Sequence, residues 1–240
     1  MVEIALAAVT FILLWRIDAP YGRYSRAGWG PTLPSRLAWL LMESPAALLF
    51  AAVYAAGAHR GEAVPLALAA LWEVHYGYRS FVYPVLLRPG TRLPLTVMLL
   101  AVAFNVLNSW INARWVADLG SYPDSWFADP RFLVGVALFG GGLALNAVSD
   151  RALRRLRGRG GSGYRVPRGG AFEWVSCPNY LGEIVEWTGW ALATWSLAGL
   201  AFALYTTANL APRALAHHHW YRQHFPDYPA GRRALVPFVW

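Results

Sequence analysis

The 240-residue chain is 57% hydrophobic and only 14% charged, with a mean hydropathy of +0.33, which excludes an ordinary soluble globule and points to a multispanning membrane protein. All 21 basic residues are arginine and the net charge is +8, but the arginines fall in short blocks between apolar runs, so membrane orientation explains the charge and nucleic-acid binding is excluded. The single Cys177 rules out an intrachain disulfide and any multi-cysteine metal site.

Val2 to Trp15 is apolar, with no basic stretch before it and no small-residue cleavage site after it, so it is expected to be a retained first span. The segment 18–36, rich in Gly, Pro, Tyr and Arg, is expected to be a shaped loop. A second span is expected over Leu37 to Ala58 with Glu43 near its start, and a third over Ala63 to Leu87 holding Glu73, His75, Tyr76 and Arg79. Such ionisable groups should face protein, not lipid. Leu93 to Trp110 predicts a fourth span and Phe132 to Val148 a fifth, with Gly140, Gly141 and Gly142 suited to close helix packing.

The apolar run from Tyr180 to Leu210 exceeds one span of about 20 residues, so a break is expected near Ser196 to Gly199. The prediction is therefore an all-α, single-domain integral membrane protein over residues 1–240, with seven transmembrane helices. The arginine distribution puts the N-terminus outside and the C-terminus in the cytoplasm. The Arg/Gly segment 154–163 is expected to act as a lid. The arginine-only basic content, with abundant Ala and Leu, suits a GC-rich bacterial genome and hence an inner membrane; in a eukaryote the endoplasmic reticulum would take its place.

Several polar groups stand where the sequence is otherwise apolar. An ionised carboxylate is costly inside an apolar helix, so Glu43 is expected as a neutral acid able to donate a hydrogen bond. With the Tyr76 phenol it would make a donor pair able to polarise a substrate carbonyl. The bland alternative is a helix-helix hydrogen bond. Glu73 and Arg79 are either a structural ion pair or helix-end groups.

Asn146, Ser149 and Asp150 close the fifth span before seven arginines (Arg151, Arg154, Arg155, Arg157, Arg159, Arg165, Arg168). There, side-chain acceptors would meet a ribose or amide and arginines a phosphate; a helix end with topology-setting arginines is the alternative. Asn179, Glu183 and Glu186 share one helical face, as ligand contacts or as interhelical glue. His217, His218 and His219 are adjacent, so on a helix they diverge by about 100° each and do not make a metal site. No dinucleotide fingerprint of the G-x-G-x-x-G type, P-loop or H-E-x-x-H motif is present in the sequence.

Taken together, APYGRYSRAGWGP (19–31), LPSRLAWLLMESP (33–45), HYGYRSFVYP (75–84), the end of the fifth span, GYRVPRGGAFEWVSCPNYLGEIVEW (163–187), HHHWY (217–221) and DYPAGRRALVPF resemble the steroid 5-alpha-reductase family over nearly the whole chain. The C-terminal N-Y-x-G-E-x-x-E-W pattern is shared with other sterol reductases and with isoprenylcysteine carboxyl methyltransferases; the N-terminal motifs decide.

The resemblance implies a seven-helix enzyme that binds NADPH and a 3-oxo-Δ4 steroid entering from the bilayer, and delivers hydride to C5. The steroid pocket would come mainly from 1–115 and the NADPH site mainly from 146–240. Glu43 and Tyr76 match the family's carbonyl-binding pair. Asn146, Asp150, Arg165, Asn179, Glu183, His218 and Tyr221 match its cofactor contacts, and among Arg88, Arg92, Arg154 and Arg157 the resemblance favours Arg88 and Arg157. No obligate protein partner and no metal are implied. One departure is Met42, where the family usually has glutamine. The rival readings are a reductase of another lipophilic enone such as a sterol side chain or polyprenoid, a related methyltransferase, and a proton-coupled transporter.

Overall fold

The structure, a computed structural model, describes residues 1–158 and 164–240, without the side chains of 157 and 158. Its elements are α1 (Val2–Arg16), β1 (Thr32–Pro34), α2 (Ser35–Ala56), α3 (Ala63–Gly77), α4 (Tyr83–Leu86), β2 (Arg92–Pro94), α5 (Leu95–Arg114), α6 (Pro130–Gly158), α7 (Pro178–Thr194) and α8 (Leu197–His224). A π-helical turn, Tyr78–Val82, joins α3 to α4, and a second, Trp115–Leu119, extends α5. Ser35–Ala56, Leu95–Leu119 and Pro130–Leu156 are long and apolar enough to cross a bilayer. The chain is a helical membrane protein.

It divides into two compact units: Ala19–Leu133 with Ala193–Gly199, and Met1–Asp18 with Val134–Leu192 and Leu200–Trp240. In the unit centred on Ala19–Leu133, α2 packs along α5 and against α3. Two buried donors fix those contacts by reaching α2 carbonyls: Asn105 Nδ2 bonds Met42 O at 2.6 Å and Trp72 Nε1 bonds Ala46 O at 2.8 Å. Trp72 also stacks on Phe50, with ring centres 4.6 Å apart.

The segment expected as a plain loop over 18–36 contributes a strand. β1 pairs antiparallel with β2, Leu33 opposite Leu93, and Arg92 bonds Thr32 through Nε (2.7 Å to Oγ1) and Nη2 (2.5 Å to O). This pairing moves the start of the fourth span from Leu93 to Leu95. Pro34 and Pro94 end their strands just before helices, where the missing amide proton costs nothing.

The other unit is built on α6 and α7, which approach through glycine. A Cβ at Gly182 would stand 2.6 Å from Asn146 N, one at Gly142 would strike the Glu186 and Gly182 backbone, and one at Gly189 that of Phe139 and Gly135. Of the Gly140–Gly142 triplet only Gly142 is used in this way; a Cβ at Gly140 or Gly141 would meet nothing within 4 Å. The decisive partners are on α7, where Gly182 and Gly189 lie two turns apart on one face.

Two further boundaries differ from expectation. The helix expected to end at Val148 continues to Gly158, because Arg, Ala and Leu in RALRRLR are strong helix formers. The proposed lid therefore begins as helix, and its residues 159–163 lie outside the described ones. The break between the last two helices falls at Trp195 and Ser196, Trp195 taking φ of 44°. Ser196 Oγ accepts from Gly199 N at 2.8 Å, an N-cap for α8, while Tyr122 and Trp126 donate to the α7-terminal carbonyls of Thr194 and Ala193 at 2.7 and 3.0 Å.

Candidate active site

The two residues expected to grip a carbonyl lie in one unit, on helices that pack together. Tyr76, 3% exposed, sits on α3 between Trp72 and Arg79, the three spaced so as to share a helical face. Each flanking residue has a partner on α2: Trp72 donates to Ala46 O, and Arg79 Nη2 approaches Glu43 Oε1 at 3.8 Å. Ala46 and Glu43 are one turn apart on α2, so Tyr76 stands at the level between them. The Tyr76 ring is 4.8 Å from the rings of both Trp72 and His75.

Arg79 is the partner that sequence reasoning did not assign to Glu43. Its guanidinium lies over Trp39 at 5.0 Å and Tyr83 at 4.9 Å, and Trp39 is one turn before Glu43 on α2. An ion pair between Arg79 and Glu73 is not formed; Glu73 Oε1 is buried with no hydrogen-bond partner among the described residues. The geometry explains this, because Glu73 lies nearly two turns before Arg79 and the π-helical turn over Tyr78–Val82 carries the arginine toward α2. Met42, at the position of the family's usual glutamine, packs its side chain with Ala38, Leu93 and Met98.

The second group of expected residues comes together on α6 and α7. Asn146 Nδ2 donates to Asn179 O at 3.0 Å and to Glu183 Oε2 at 3.4 Å, and Asn179 Nδ2 donates to Asp150 Oδ1 at 3.1 Å. Asn146 and Asp150 are four apart on α6, Asn179 and Glu183 four apart on α7, so two helical faces meet as a polar quartet. Gly182 makes the approach possible. Glu186, the third member of the α7 stripe, is fully buried one turn further on.

A third cluster surrounds His218. The C-terminal tail turns back so that Val175 and Arg233 form a bridge, and Ser176 becomes a hub. Its hydroxyl is 2.7 Å from His218 Nδ1, 2.7 Å from Tyr228 OH and 3.1 Å from Arg233 O. A serine hydroxyl has one proton, and the Arg233 carbonyl only accepts. Directing that proton to Arg233 O makes His218 Nδ1 and Tyr228 OH the donors to Ser176, leaving His218 Nε2 as an acceptor. Burial raises the Tyr228 phenol.

Tyr221 stacks on Tyr228 with rings 5.4 Å apart and 5° from parallel. His217 turns elsewhere, its Nε2 lying 3.2 Å from Tyr180 OH, so neighbouring histidines serve different partners. Arg232, which sequence reasoning passed over, is 2% exposed; Nη1 donates to Pro167 O at 3.1 Å and its plane lies over Tyr228 at 5.0 Å. Near as it is to the Tyr228 hydroxyl, its Nε and Nη2 have no hydrogen-bond acceptor among the described residues. The bond to Pro167 anchors the strap that carries Arg165, an exposed residue. Arg88 belongs to the other unit, where its carbonyl accepts from Thr91 Oγ1 at 3.0 Å. The Arg157 side chain lies outside the described residues.

The sequence profile of the 3-oxo-5-alpha-steroid 4-dehydrogenase family matches residues 91–240. Among curated proteins, the chain is similar to 3-oxo-5-alpha-steroid 4-dehydrogenase 1 of Bos taurus, 44% identical across 99% of this chain and 94% of the relative. Steroid 5-alpha-reductase DET2 of Arabidopsis thaliana is 44% identical over 96% of this chain and 91% of its own length. The human 3-oxo-5-alpha-steroid 4-dehydrogenase 1 is 39% identical over 99% and 92%.

Proposed function

The chain belongs to the 3-oxo-5-alpha-steroid 4-dehydrogenase family, and from that premise we propose that it is a membrane-embedded reductase adding hydride to C5 of 3-oxo-Δ4 steroids to give 5α-dihydro steroids. The observation that carries the reading is the Glu43, Tyr76 and Arg79 group, gathered on packed helices. An oxidoreductase of this class uses a nicotinamide cofactor, and we assign NADPH.

The chain's own groups suit that molecule. The free edge of Arg232 presents Nε and Nη2 as two parallel donors, the fork that fits a phosphate. Asn146, Asp150, Asn179 and Glu183 combine amide donors with carboxylate acceptors, as ribose hydroxyls and a carboxamide require. We assign His218 and Tyr221, with Arg165 and Arg157, to the same cofactor. With Nδ1–H donated to Ser176, Nε2 of His218 is placed to accept from a hydroxyl or amide.

When bound, NADPH supplies the hydride for C5. As the hydride adds, negative charge moves to the 3-oxo oxygen, and groups aimed there bind the transition state more tightly than the ground state. Tyr76 holds that oxygen through its hydroxyl and Glu43 through its protonated carboxyl, since an ionised carboxylate has no proton to donate. Arg79, beside Glu43, sets a positive charge at the same end. With Met42 in place of glutamine, one donor fewer grips the carbonyl, which alters steroid selectivity without changing the reaction.

We further read the protein as one catalytic domain of seven spans, α1, α2, α3 with α4, α5, α6, α7 and α8, with the N-terminus outside and the C-terminus cytoplasmic, in a bacterial inner membrane. The steroid enters from the lipid, and no obligate protein partner is required. The test is product analysis by mass spectrometry on purified protein with NADPH and progesterone or testosterone. A 5α-dihydro product is expected, lowered more than about tenfold by Glu43→Leu or Tyr76→Phe, since one transition-state donor is worth about 1.4 kcal/mol or more. Unchanged turnover in both variants removes the pair from the reaction.

A further inference from the structure

The helix α5 carries a polar face in the middle of a membrane span. Asn105, Asn108, Ser109 and Asn112 recur at helical spacing and are all at most 6% exposed. Asn105 is fixed at the level of the carbonyl-gripping group by its 2.6 Å bond to the carbonyl of Met42, the residue before Glu43. One turn on, Asn112 Nδ2 donates to Asn108 Oδ1 at 2.8 Å. Yet Asn108 Nδ2, with no exposed surface, has no acceptor among the described residues. Ser80 Oγ, on the π-helical turn beside Arg79, is a second fully buried group in that condition, also on an element packed against α2.

A fully buried primary amide left without an acceptor costs about 1–3 kcal/mol, and in native interiors such groups are satisfied by ordered water. Simple helix-helix bonding does not account for this face, because the amide nitrogen that would be its central contact has no acceptor among the described residues.

We propose that Asn108 holds a buried water that supplies the proton taken up at C4. This rests on the reductase reading. Hydride from the reduced nicotinamide forms the new C5–H bond, the C4–C5 π electrons shift to give the 3-enolate, and C4 then takes a proton from the water. The hydroxide so formed is reprotonated from solvent. C4 is bonded to the carbonyl carbon whose oxygen Glu43 and Tyr76 hold, so its proton donor belongs beside that pair. Asn105 is the α5 residue that brings this face to that level.

The experiment combines kinetics in H2O and D2O with a crystallographic search for the water. Asn108→Leu keeps the side-chain volume but cannot bind water. It is expected to lower kcat about tenfold or more and to raise the solvent deuterium isotope effect, with steroid KM and NADPH Kd within about twofold of wild type. Asn108→Ser, which still binds water, is expected to retain kcat within about threefold. Wild-type kcat and isotope effect in Asn108→Leu overturn the proposal. If that variant does not fold, the wild-type structure decides: a water within hydrogen-bonding distance of Asn108 Nδ2 sustains the site, and a dry Asn108 overturns it. A wild-type protein that binds NADPH but reduces no 3-oxo-Δ4 steroid defeats the parent reading instead.

Discussion

Arg79 reaches from the π-helical turn to Glu43, with 3.8 Å between Nη2 and Oε1, while the face of its guanidinium is clasped by Trp39 and Tyr83. The two ends of the arginine thus do different things. The edge faces the carboxylate, and the plane is held by aromatic rings, each such contact worth about 0.5–2 kcal/mol. The result is a cation fixed in orientation beside the group proposed to bind the substrate oxygen.

Replacing Arg79 separates these effects. Arg79→Lys keeps the charge but loses the planar stack, and Arg79→Met keeps the apolar stem but removes the charge beside Glu43. Turnover is expected to fall about tenfold in Arg79→Lys and further in Arg79→Met, while NADPH affinity stays at the wild-type value. Steady-state kinetics beside cofactor titration by fluorescence checks this. Equal turnover in Met and Lys variants would show that the charge is immaterial.

Gly182 sets the distance between α6 and α7. An added methyl at this position would stand 2.6 Å from Asn146 N and 2.7 Å from Gly142 O, both backbone atoms that have nowhere to retreat. Gly182→Ala is therefore expected to destabilise the protein by about 1–3 kcal/mol through overpacking. It should also weaken NADPH binding, because the same separation sets the Asn146 to Asn179 bond. Gly141→Ala, whose Cβ would meet nothing within 4 Å, is the control and should be neutral in a detergent thermal-shift assay.

The sequence made the elements legible wherever an apolar run ended in a polar block, because burial in lipid demands that pattern. It also brought Asn146, Asp150, Asn179 and Glu183 forward, since polar groups four apart on a helix must share a face. The quartet itself depended on Gly182, whose role is visible only once α6 lies against it. The β1 to β2 pairing was hidden for a similar reason: three-residue strands nearly 60 positions apart leave no periodicity. The Asn105, Asn108 and Asn112 face is present in the sequence as a helical stripe, but uncharged amides stand out less than acids in an apolar run. Ser176 and Arg232 carried no local signal. Their roles come from the tail folding back on residues 174–177.

Arg232 offers a direct test of the cofactor assignment. Its buried Nε and Nη2 suit a phosphate, so Arg232→Gln should weaken NADPH binding about tenfold or more, and the loss should exceed that from the exposed Arg168→Gln. Arg232→Lys, with a point charge in place of the fork, should recover only part of it. Because Nη1 also holds Pro167 O, the strap carrying Arg165 is the other structure at risk. Isothermal titration with NADPH, NADH and the 2′-phosphate-free nucleotides distinguishes the phosphate contacts, and undiminished NADPH affinity in Arg232→Gln removes this residue from the site.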